Sequence, residues 1–204
     1  MTALLQADDL TLFRGDRCLF QGLRFALDAG ELLWIEGPNG SGKTSLLRAM
    51  AGLIELETGN IMWNGTNAIR HRQRFHGNLA WMAHKIGLKG DLTLLDNLRF
   101  ESGLRATDWS RLDAILKRLS LSKLTALPLR SLSAGQQRRV TLARMLLADA
   151  SLWLMDEPFT NLDTAGRDLV TKIVVEHLAA GGMAVVASHQ AMQIDAPVRR
   201  VLLT

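Results

Sequence analysis

The stretch of sequence that decides the fold is residues 32–44, which read LLWIEGPNGSGKT. An apolar run at 32–35 predicts a buried strand, and residues 43–51 predict a helix. Between them, residues 37–44 match the pattern GxxxxGK[ST]. The strand before the motif and the helix after it are the context that such a motif requires, so an ordinary glycine turn is disfavoured. We therefore predict a phosphate-binding loop here.

Each residue type in this loop has a physical reason. Glycines let the main chain bend and bring bare N–H groups close to phosphate oxygens, and a helix N-terminus adds partial positive charge. Lys43 is predicted to reach the β- and γ-phosphates, and the Thr44 hydroxyl to coordinate Mg²⁺. The nucleotide-binding residues predicted from the loop are Gly37, Pro38, Asn39, Gly40, Ser41, Gly42, Lys43, Thr44 and Ser45.

A second predicted strand ends in two carboxylates, because residues 152–157 read LWLMDE. The carboxyl end of a strand buried on both faces lies beside the nucleotide loop in sheets of this kind. We predict that Asp156 holds Mg²⁺ through water and that Glu157 polarises the attacking water as a general base. The alternative is a solvated acidic turn. Two adjacent carboxylates repel each other unless a cation lies nearby. A nucleotide loop beside them would bring Mg²⁺, so the solvated turn is disfavoured.

The remaining pattern alternates between short apolar runs and helical periodicity. Asn64 and Gly65 predict a tight turn after one strand, and Asp108 is a candidate helix N-cap. Such an order is typical of a parallel sheet covered by helices, with the helical middle inserted as a subdomain. Strands are predicted at 10–13, 23–27, 32–35, 61–63, 79–82, 152–155 and 184–187, and helical segments at 92–148 and 164–178.

Composition sets bounds without selecting a function. The 204 residues suit one domain, 48% of them are hydrophobic, and the net charge of +4 fits several anionic partners equally well. The start of the chain does not resemble a signal peptide, and no apolar run is long enough for a membrane span. The single cysteine, Cys18, is expected to be a small buried hydrophobe, which is consistent with a reducing compartment.

Residues 132–136, LSAGQ, resemble the LSGGQ signature of the ATP-binding-cassette ATPases, with Ala134 in place of a glycine. Residues 161–163 resemble the family's D-loop, with its Asp163, and Ser188-His189 resembles its switch histidine. The resemblance spans residues 5–203. It implies an α/β fold: a P-loop NTPase (RecA-like) core with an N-terminal antiparallel β subdomain, at about 1–84 and 150–204, and an inserted α-helical subdomain at about 88–149.

The resemblance also implies a shared active site. In this family the signature faces the γ-phosphate bound by a second copy of the ATPase, so two copies form a head-to-tail dimer and a lone domain hydrolyses slowly. The implied catalytic residues are Glu157, His189 and Lys43, with Mg²⁺ and ATP as cofactors; a structural role is the alternative for His189. The implied signature residues are Leu132, Ser133, Ala134, Gly135 and Gln136.

The chain departs from the family pattern at two places. It contains no tyrosine, so Phe13 is expected to stack on adenine, with core packing as the alternative. The family's glutamine after the strand at 79–82 is missing, and Lys85 aligns with it. A lysine cannot accept a hydrogen bond from a metal-bound water, which puts that metal contact in doubt. The neighbouring His84 is expected at a coupling surface.

Four short stretches are similar to the ATPases of haem exporters in bacterial cytochrome c maturation: 82–89, 92–98, 187–190 and 198–201. That similarity implies an integral-membrane partner, a peripheral position on the cytoplasmic side of the inner membrane, and ATP-driven release of a haem-loaded chaperone. It implies no direct nucleic-acid partner, and the basic run at 70–74 is interpreted as a solvated face.

Three alternatives stay open at this point. The chain could be the ATPase of another small exporter, or a family member that acts on ribosomes or nucleic acid. It could also be a nucleotide-binding scaffold without hydrolysis, against which the presence of Glu157 and His189 argues.

Overall fold

The computed structural model describes residues 4–85, 87–102, 107–189 and 194–204. Its N-terminal part is an antiparallel sheet in which β1 (Leu5–Arg14) pairs with β2 (Arg17–Leu27) on one side. On the other side β1 pairs with β4 (Thr58–Trp63), which turns back into β5 (Thr66–Asn67). The turn residues Asn64 and Gly65 have φ values of 48° and 74°, a conformation that asparagine and glycine tolerate, so the predicted tight turn is confirmed.

The second sheet is parallel, with the strand order β6-β7-β8-β3-β9. The three strands at its centre, β7, β8 and β3, are buried almost throughout, and burial on both faces explains why they read as continuous apolar runs. The strands are β3 (Leu32–Glu36), β6 (Leu79–Met82), β7 (Leu152–Asp156), β8 (Met183–Ala187) and β9 (Val198–Leu202).

Helices cover both faces of the parallel sheet. Trp34, Trp153 and Val186 pack in a core with side chains of α5 and α6. Residues of alternate parity, such as Leu33 and Leu154, pack with α1 and the antiparallel sheet. The helices are α1 (Lys43–Met50), α2 (Arg72–Gly77), α3 (Leu94–Ser102), α4 (Leu112–Arg118), α5 (Ala134–Leu147) and α6 (Thr164–Ala179).

Most elements agree with the sequence prediction. The differences concern the length of two strands, two elements that were not predicted and the division of the helical segment. The strands predicted at 10–13 and 23–27 are parts of the longer β1 and β2, while β9 and the short α2 were not predicted. The helical pattern at 92–148 contains separate helices, and Asp108 caps a short 3-10 turn by accepting from the Ser110 amide at 3.0 Å. Two residues of the quoted motifs, Ile86 and Gln190, lie outside the described residues.

The expectation that Cys18 is buried is wrong, because its side chain is exposed. It lies near the turn of the β1–β2 hairpin, where its Cα pairs with that of Phe13, and the next residues, Leu19 and Phe20, enter the core instead. Among the described residues, no helix combines the length and apolar character that crossing a bilayer requires.

Candidate functional site

The phosphate loop follows β3 and leads directly into α1, as predicted. Gly37, Gly40 and Gly42 have φ values of 149°, 82° and 102°, which side-chain-bearing residues rarely adopt. A Cβ atom on Gly37 would lie 2.4 Å from the carbonyl oxygen of Leu203, so the loop is wedged against the chain after β9. Glycine at position 37 is therefore required by both conformation and space.

Two polar side chains of the loop suit an anionic ligand. The Lys43 ammonium donates to the carbonyl oxygens of Gly37 at 2.7 Å and Pro38 at 3.0 Å, so it lies over its own loop. Ser41 is 2% exposed, and its hydroxyl has no hydrogen-bond partner in the described part of the chain. Buried hydroxyls are rarely left unsatisfied, so the Ser41 group fits a ligand oxygen.

The two predicted magnesium ligands meet, although 112 positions separate them in the sequence. The Thr44 hydroxyl, in the first turn of α1, donates to the Asp156 carboxylate at 2.8 Å. Burial raises the pKa of Asp156 above its usual value, and the hydrogen bond from Thr44 opposes that shift. A carboxylate in this environment would be stabilised by a cation, which is what the sequence prediction requires.

Glu157 is held by the strand next to its own. Its φ of 48° is unusual for a non-glycine residue, and its amide donates to the Ala187 carbonyl oxygen at 2.8 Å. One carboxylate oxygen accepts from the Ser188 hydroxyl at 3.1 Å. The other lies 2.9 Å from Nδ1 of His189 and accepts from the His189 amide at 3.2 Å. The predicted base and switch histidine are thus in direct contact, and the contribution of Ser188 was not foreseen.

Several of these residues line one cavity of about 390 Å³. It brings together the phosphate loop, both carboxylates and His189, and His84 is part of its wall, whereas Lys85 is not among the lining residues. The described lining residues are Arg14, Leu19, Asn39, Gly40, Gly42, Lys43, Thr44, Ser45, His84, Asp156, Glu157, Thr160 and His189.

The sequence expectation aligned Lys85 with the family's glutamine and placed His84 at a coupling surface, and both roles stay predictions. The chain leaves β6 at Met82 and turns past the end of β7, so the imidazole of His84 reaches the cavity. His84 is also close enough to Asp156 to contribute to its electrostatic environment. Alignment alone could not tell which of two consecutive side chains faces the site.

Phe13 lies at the end of β1 and is 42% exposed, so core packing does not describe it. It is not among the described residues that line the phosphate cavity, whereas its neighbour Arg14 is. Stacking of Phe13 on adenine therefore stays a prediction, and Arg14 is a lining residue that the sequence did not single out.

The signature residues form the start of α5. Ser133 caps the helix by accepting from the Gln136 amide at 3.2 Å, and the Gln136 side chain accepts from the Ser133 amide at 2.8 Å. Leu132 is buried, while Ser133 and Ala134 are exposed. A Cβ on Gly135 would lie 2.9 Å from the Asn161 carbonyl oxygen, so the signature touches the predicted D-loop.

Asp163 caps α6, accepting from the Gly166 amide at 2.8 Å. In the described structure neither Asp163 nor the signature lines the phosphate cavity of its own chain. Asp163, Ser133 and Ala134 are exposed, and the roles of these segments toward a second copy stay predictions.

Comparison with known proteins agrees with this geometry. A family model described as "ABC transporter" matches residues 20–160. The cytochrome c biogenesis ATP-binding export protein CcmA of Methylococcus capsulatus is 44% identical over 204 residues, covering 99% of each chain. The CcmA protein of Escherichia coli strain K12 is 41% identical over 202 residues, covering 98% of this chain and 97% of its own.

Solved structures match the whole fold. An ABC transporter ATP-binding protein from Pyrococcus furiosus superposes with a TM-score of 0.84 at 24% identity, covering 98% of this chain and 96% of its own. The ATP-binding subunit of another ABC transporter gives a TM-score of 0.84 at 23% identity, covering 92% and 80%. At these identities the likeness concerns the fold, and it agrees with the predicted α/β architecture.

Proposed function

Because the chain belongs to the ABC transporter family, we propose that it is the ATP-hydrolysing subunit of a bacterial haem-export complex for cytochrome c maturation. The observation that carries the proposal is the Glu157 carboxylate, which is fixed by Ser188 and His189 in the same cavity as the phosphate loop. The near full-length similarity to proteins named as cytochrome c biogenesis exporters supports the specific transport role.

ATP binding would begin at the loop after β3. The first amides of α1 have no intrahelical partners, so they can donate to phosphate oxygens at the positive end of the helix. The Lys43 ammonium would exchange the carbonyl oxygens of Gly37 and Pro38 for phosphate oxygens. The buried Ser41 hydroxyl would gain the acceptor that it lacks in the described chain.

The residues at the start of α1 fit a magnesium ion bound with the nucleotide. Thr44 and Asp156 offer hard oxygen ligands within 2.8 Å of each other, and burial of Asp156 favours a nearby cation. Thr44 would hold the ion directly and Asp156 through water. The bound ion supplies neutralisation of the charge on the phosphate oxygens.

Glu157 would act as the general base. As the oxygen of a water bonds to the γ-phosphorus, the bond from phosphorus to the bridging β–γ oxygen breaks, and the products are ADP and phosphate. The proton of that water passes to Glu157. His189 would hydrogen-bond the γ-phosphate with Nε2. Because Nδ1 already faces the Glu157 carboxylate, Nε2 is the ring nitrogen that is left for the phosphate.

A second copy of the ATPase would complete the site. The exposed Ser133 and Ala134 begin α5, and the free amides of a helix start form an anion site. In a two-fold dimer this segment would close over the γ-phosphate of the partner's nucleotide, with Asp163 near the interface. The dependence on a partner would make isolated monomers slow.

The membrane role rests on the relatives. We propose an integral-membrane partner of the CcmB type, with further cytochrome c maturation membrane proteins, at the cytoplasmic side of the inner membrane. Hydrolysis would drive release of a haem-loaded chaperone. The alternative of a nucleic-acid-bound ATPase has less support: residues 70–74 are exposed as expected for a solvated face, and no relative described above has a name that mentions nucleic acid.

The test is purification from bacterial membranes under mild detergent. The proposal expects a membrane subunit and a haem chaperone to co-purify with the chain, and ATP to release the chaperone from the complex. Glu157→Gln is the matched control, because it should leave the complex assembled while blocking release. Co-purification with ribosomes or DNA in place of a membrane protein would contradict the proposal.

A further inference from the structure

A buried arginine connects the signature helix to the two site carboxylates. Arg138 in α5 is 3% exposed. Its guanidinium donates to the carbonyl oxygens of Ala83 at 2.9 Å, Asp156 at 2.8 Å and Pro158 at 3.4 Å, and also to that of Glu157. One side chain thus holds the main chain of three consecutive residues at the end of β7, and the end of the segment that leads to His84.

The charge of this group makes a packing role an incomplete explanation. Burial lowers the pKa of Arg138 to about 10, while the nearby Asp156 and Glu157 carboxylates oppose the shift, so the side chain is positively charged at neutral pH. Burying a charge costs free energy, and an apolar side chain of similar size could fill the same space. The planar, forked guanidinium of an arginine, by contrast, presents several donors in fixed directions and can orient several acceptors at once.

The place of Arg138 in α5 connects its carbonyl contacts to the signature segment. Arg138 follows Ser133 in the same helix, whose first turn is stiffened by the Ser133–Gln136 capping box. If the signature closes on the partner's nucleotide, α5 moves as a unit, and the guanidinium moves with it. Because the guanidinium is hydrogen-bonded to the main chain at Asp156 and Glu157, its movement would shift the main chain that carries the Glu157 carboxylate.

We propose that Arg138 is a positioning residue that transmits closure of the Ser133 segment on one nucleotide to the placement of Glu157 at the other. The inference rests on the proposed function, because it requires an ATP-driven dimer. It concerns a residue that touches neither nucleotide and acts through the carbonyl groups that it holds.

Steady-state ATP hydrolysis by the complete membrane complex tests the inference. Arg138→Met removes the charge and the fork while keeping a similar volume, and Arg138→Lys keeps the charge alone. Arg139→Met is the matched control, because the neighbouring Arg139 donates instead to the Leu119 carbonyl oxygen at 3.3 Å.

We expect Arg138→Met to lower kcat by about tenfold or more while KM for ATP changes by less than about threefold, since the phosphate loop is untouched. Arg138→Lys should recover part of kcat, and Arg139→Met should behave like the wild type. In a double-mutant cycle with Ser133→Ala, the double variant should lose no more than about twofold beyond the worse single variant.

An unchanged kcat in Arg138→Met, or fully additive losses with Ser133→Ala, overturns the inference. So does a joint loss of ATP binding and thermal stability in both Arg138 variants, which would indicate a structural role alone. A wild-type complex without ATP turnover overturns the proposed function and this inference with it, whereas turnover that is insensitive to Arg138 overturns the inference alone.

Discussion

The Nδ1 atom of His189 lies 2.9 Å from a carboxylate oxygen of Glu157, and this contact joins the ends of two neighbouring parallel strands. Each residue sits just beyond its strand, Glu157 after β7 and His189 after β8. The register of the sheet, which pairs Asp156 with Ala187, therefore sets the distance between the Glu157 carboxylate and the His189 imidazole. Under the proposed mechanism, chemistry at the γ-phosphate would depend on the pairing of β7 with β8.

Replacing Glu157 by glutamine should remove the base and keep the shape. We expect kcat to fall about 10²- to 10⁴-fold, the usual contribution of a general base. ATP binding should persist, and ATP should trap a dimer that is visible by size-exclusion chromatography. A Glu157→Gln variant that still hydrolyses ATP, or that stays monomeric with ATP in the presence of its membrane partner, would contradict the shared-site mechanism.

Lys43→Ala should weaken ATP binding, because it removes the ammonium from the phosphate loop. A charge-assisted contact with phosphate is strong, so we expect the Kd for ATP to rise by about 10- to 100-fold. Equilibrium binding of a fluorescent ATP analogue measures this change. Lys89→Ala is a suitable control, since Lys89 lies over the ring of Phe100 and is not among the residues lining the cavity. Equal losses of ATP affinity in both variants would contradict the predicted role of Lys43 in phosphate binding.

His84 and Lys85 provide a pair of neighbours with opposite expectations. His84 lines the cavity near Asp156, so His84→Ala should reduce kcat by about tenfold, and His84→Gln should retain more activity. Lys85→Ala should change turnover little. If instead Lys85→Ala is the damaging change, the alignment that favoured Lys85 was the better guide.

Phe13→Ala tests the adenine contact. Loss of a stacked ring should raise the Kd for ATP by about three- to tenfold, since aromatic contacts contribute about 0.5–1.5 kcal/mol. Magnesium dependence should be unaltered, because Phe13 is not among the described residues that line the cavity with Thr44 and Asp156. Phe100→Ala is the control, as Phe100 is a similarly exposed phenylalanine in α3. Identical nucleotide affinities in wild type and Phe13→Ala would exclude stacking.

His177 should make stability depend on pH. Its ring stacks on Trp153 with centroids 3.8 Å apart, and burial lowers its pKa below the usual value of about 6.5. The unfolded chain therefore binds this proton more readily than the folded chain does. The free energy of unfolding should fall as pH drops below about 6.5 towards the folded-state pKa, at no more than about 1.4 kcal/mol per pH unit for one proton.

Urea unfolding of the wild type and of His177→Phe between pH 5 and pH 8 measures this effect. Phenylalanine keeps a ring against Trp153 but cannot be protonated, so its curve should be flatter in the acidic range. Parallel curves for the two proteins would show that His177 does not contribute, because the other titrating groups are common to both.

Sequence reasoning succeeded where a motif fixes the main chain. The meeting of Thr44 and Asp156 followed from a glycine-rich loop and from a buried strand that ends in carboxylates, since parallel strands end at one edge of a sheet. The central strands were visible because burial on both faces leaves an uninterrupted apolar run.

Sequence reasoning failed where contacts between distant segments decide whether a residue forms a strand or enters the core. The strand β9 is exposed at three of its five positions, so its sequence carries little apolar signal, and it forms by pairing with β3. Cys18 is exposed together with its neighbour Arg17, while Leu19 and Phe20 are both buried, so no alternation at this end of β2 indicates which side Cys18 faces. Three features depend on distances between segments far apart in the chain and carry no sequence signal. They are the entry of His84 into the cavity, the hydroxyl contact of Ser188 and the carbonyl contacts of Arg138.

The close approach of Gly37 to Leu203 has one more consequence. The Leu203 amide also donates to the Glu36 carbonyl oxygen at 2.9 Å, so the segment after β9 is held against the start of the phosphate loop. Substitutions at Leu203 would therefore be expected to change nucleotide affinity, although Leu203 is not among the described residues that line the cavity. Under the proposed function, the affinity for ATP would therefore depend partly on residues outside the sequence motifs.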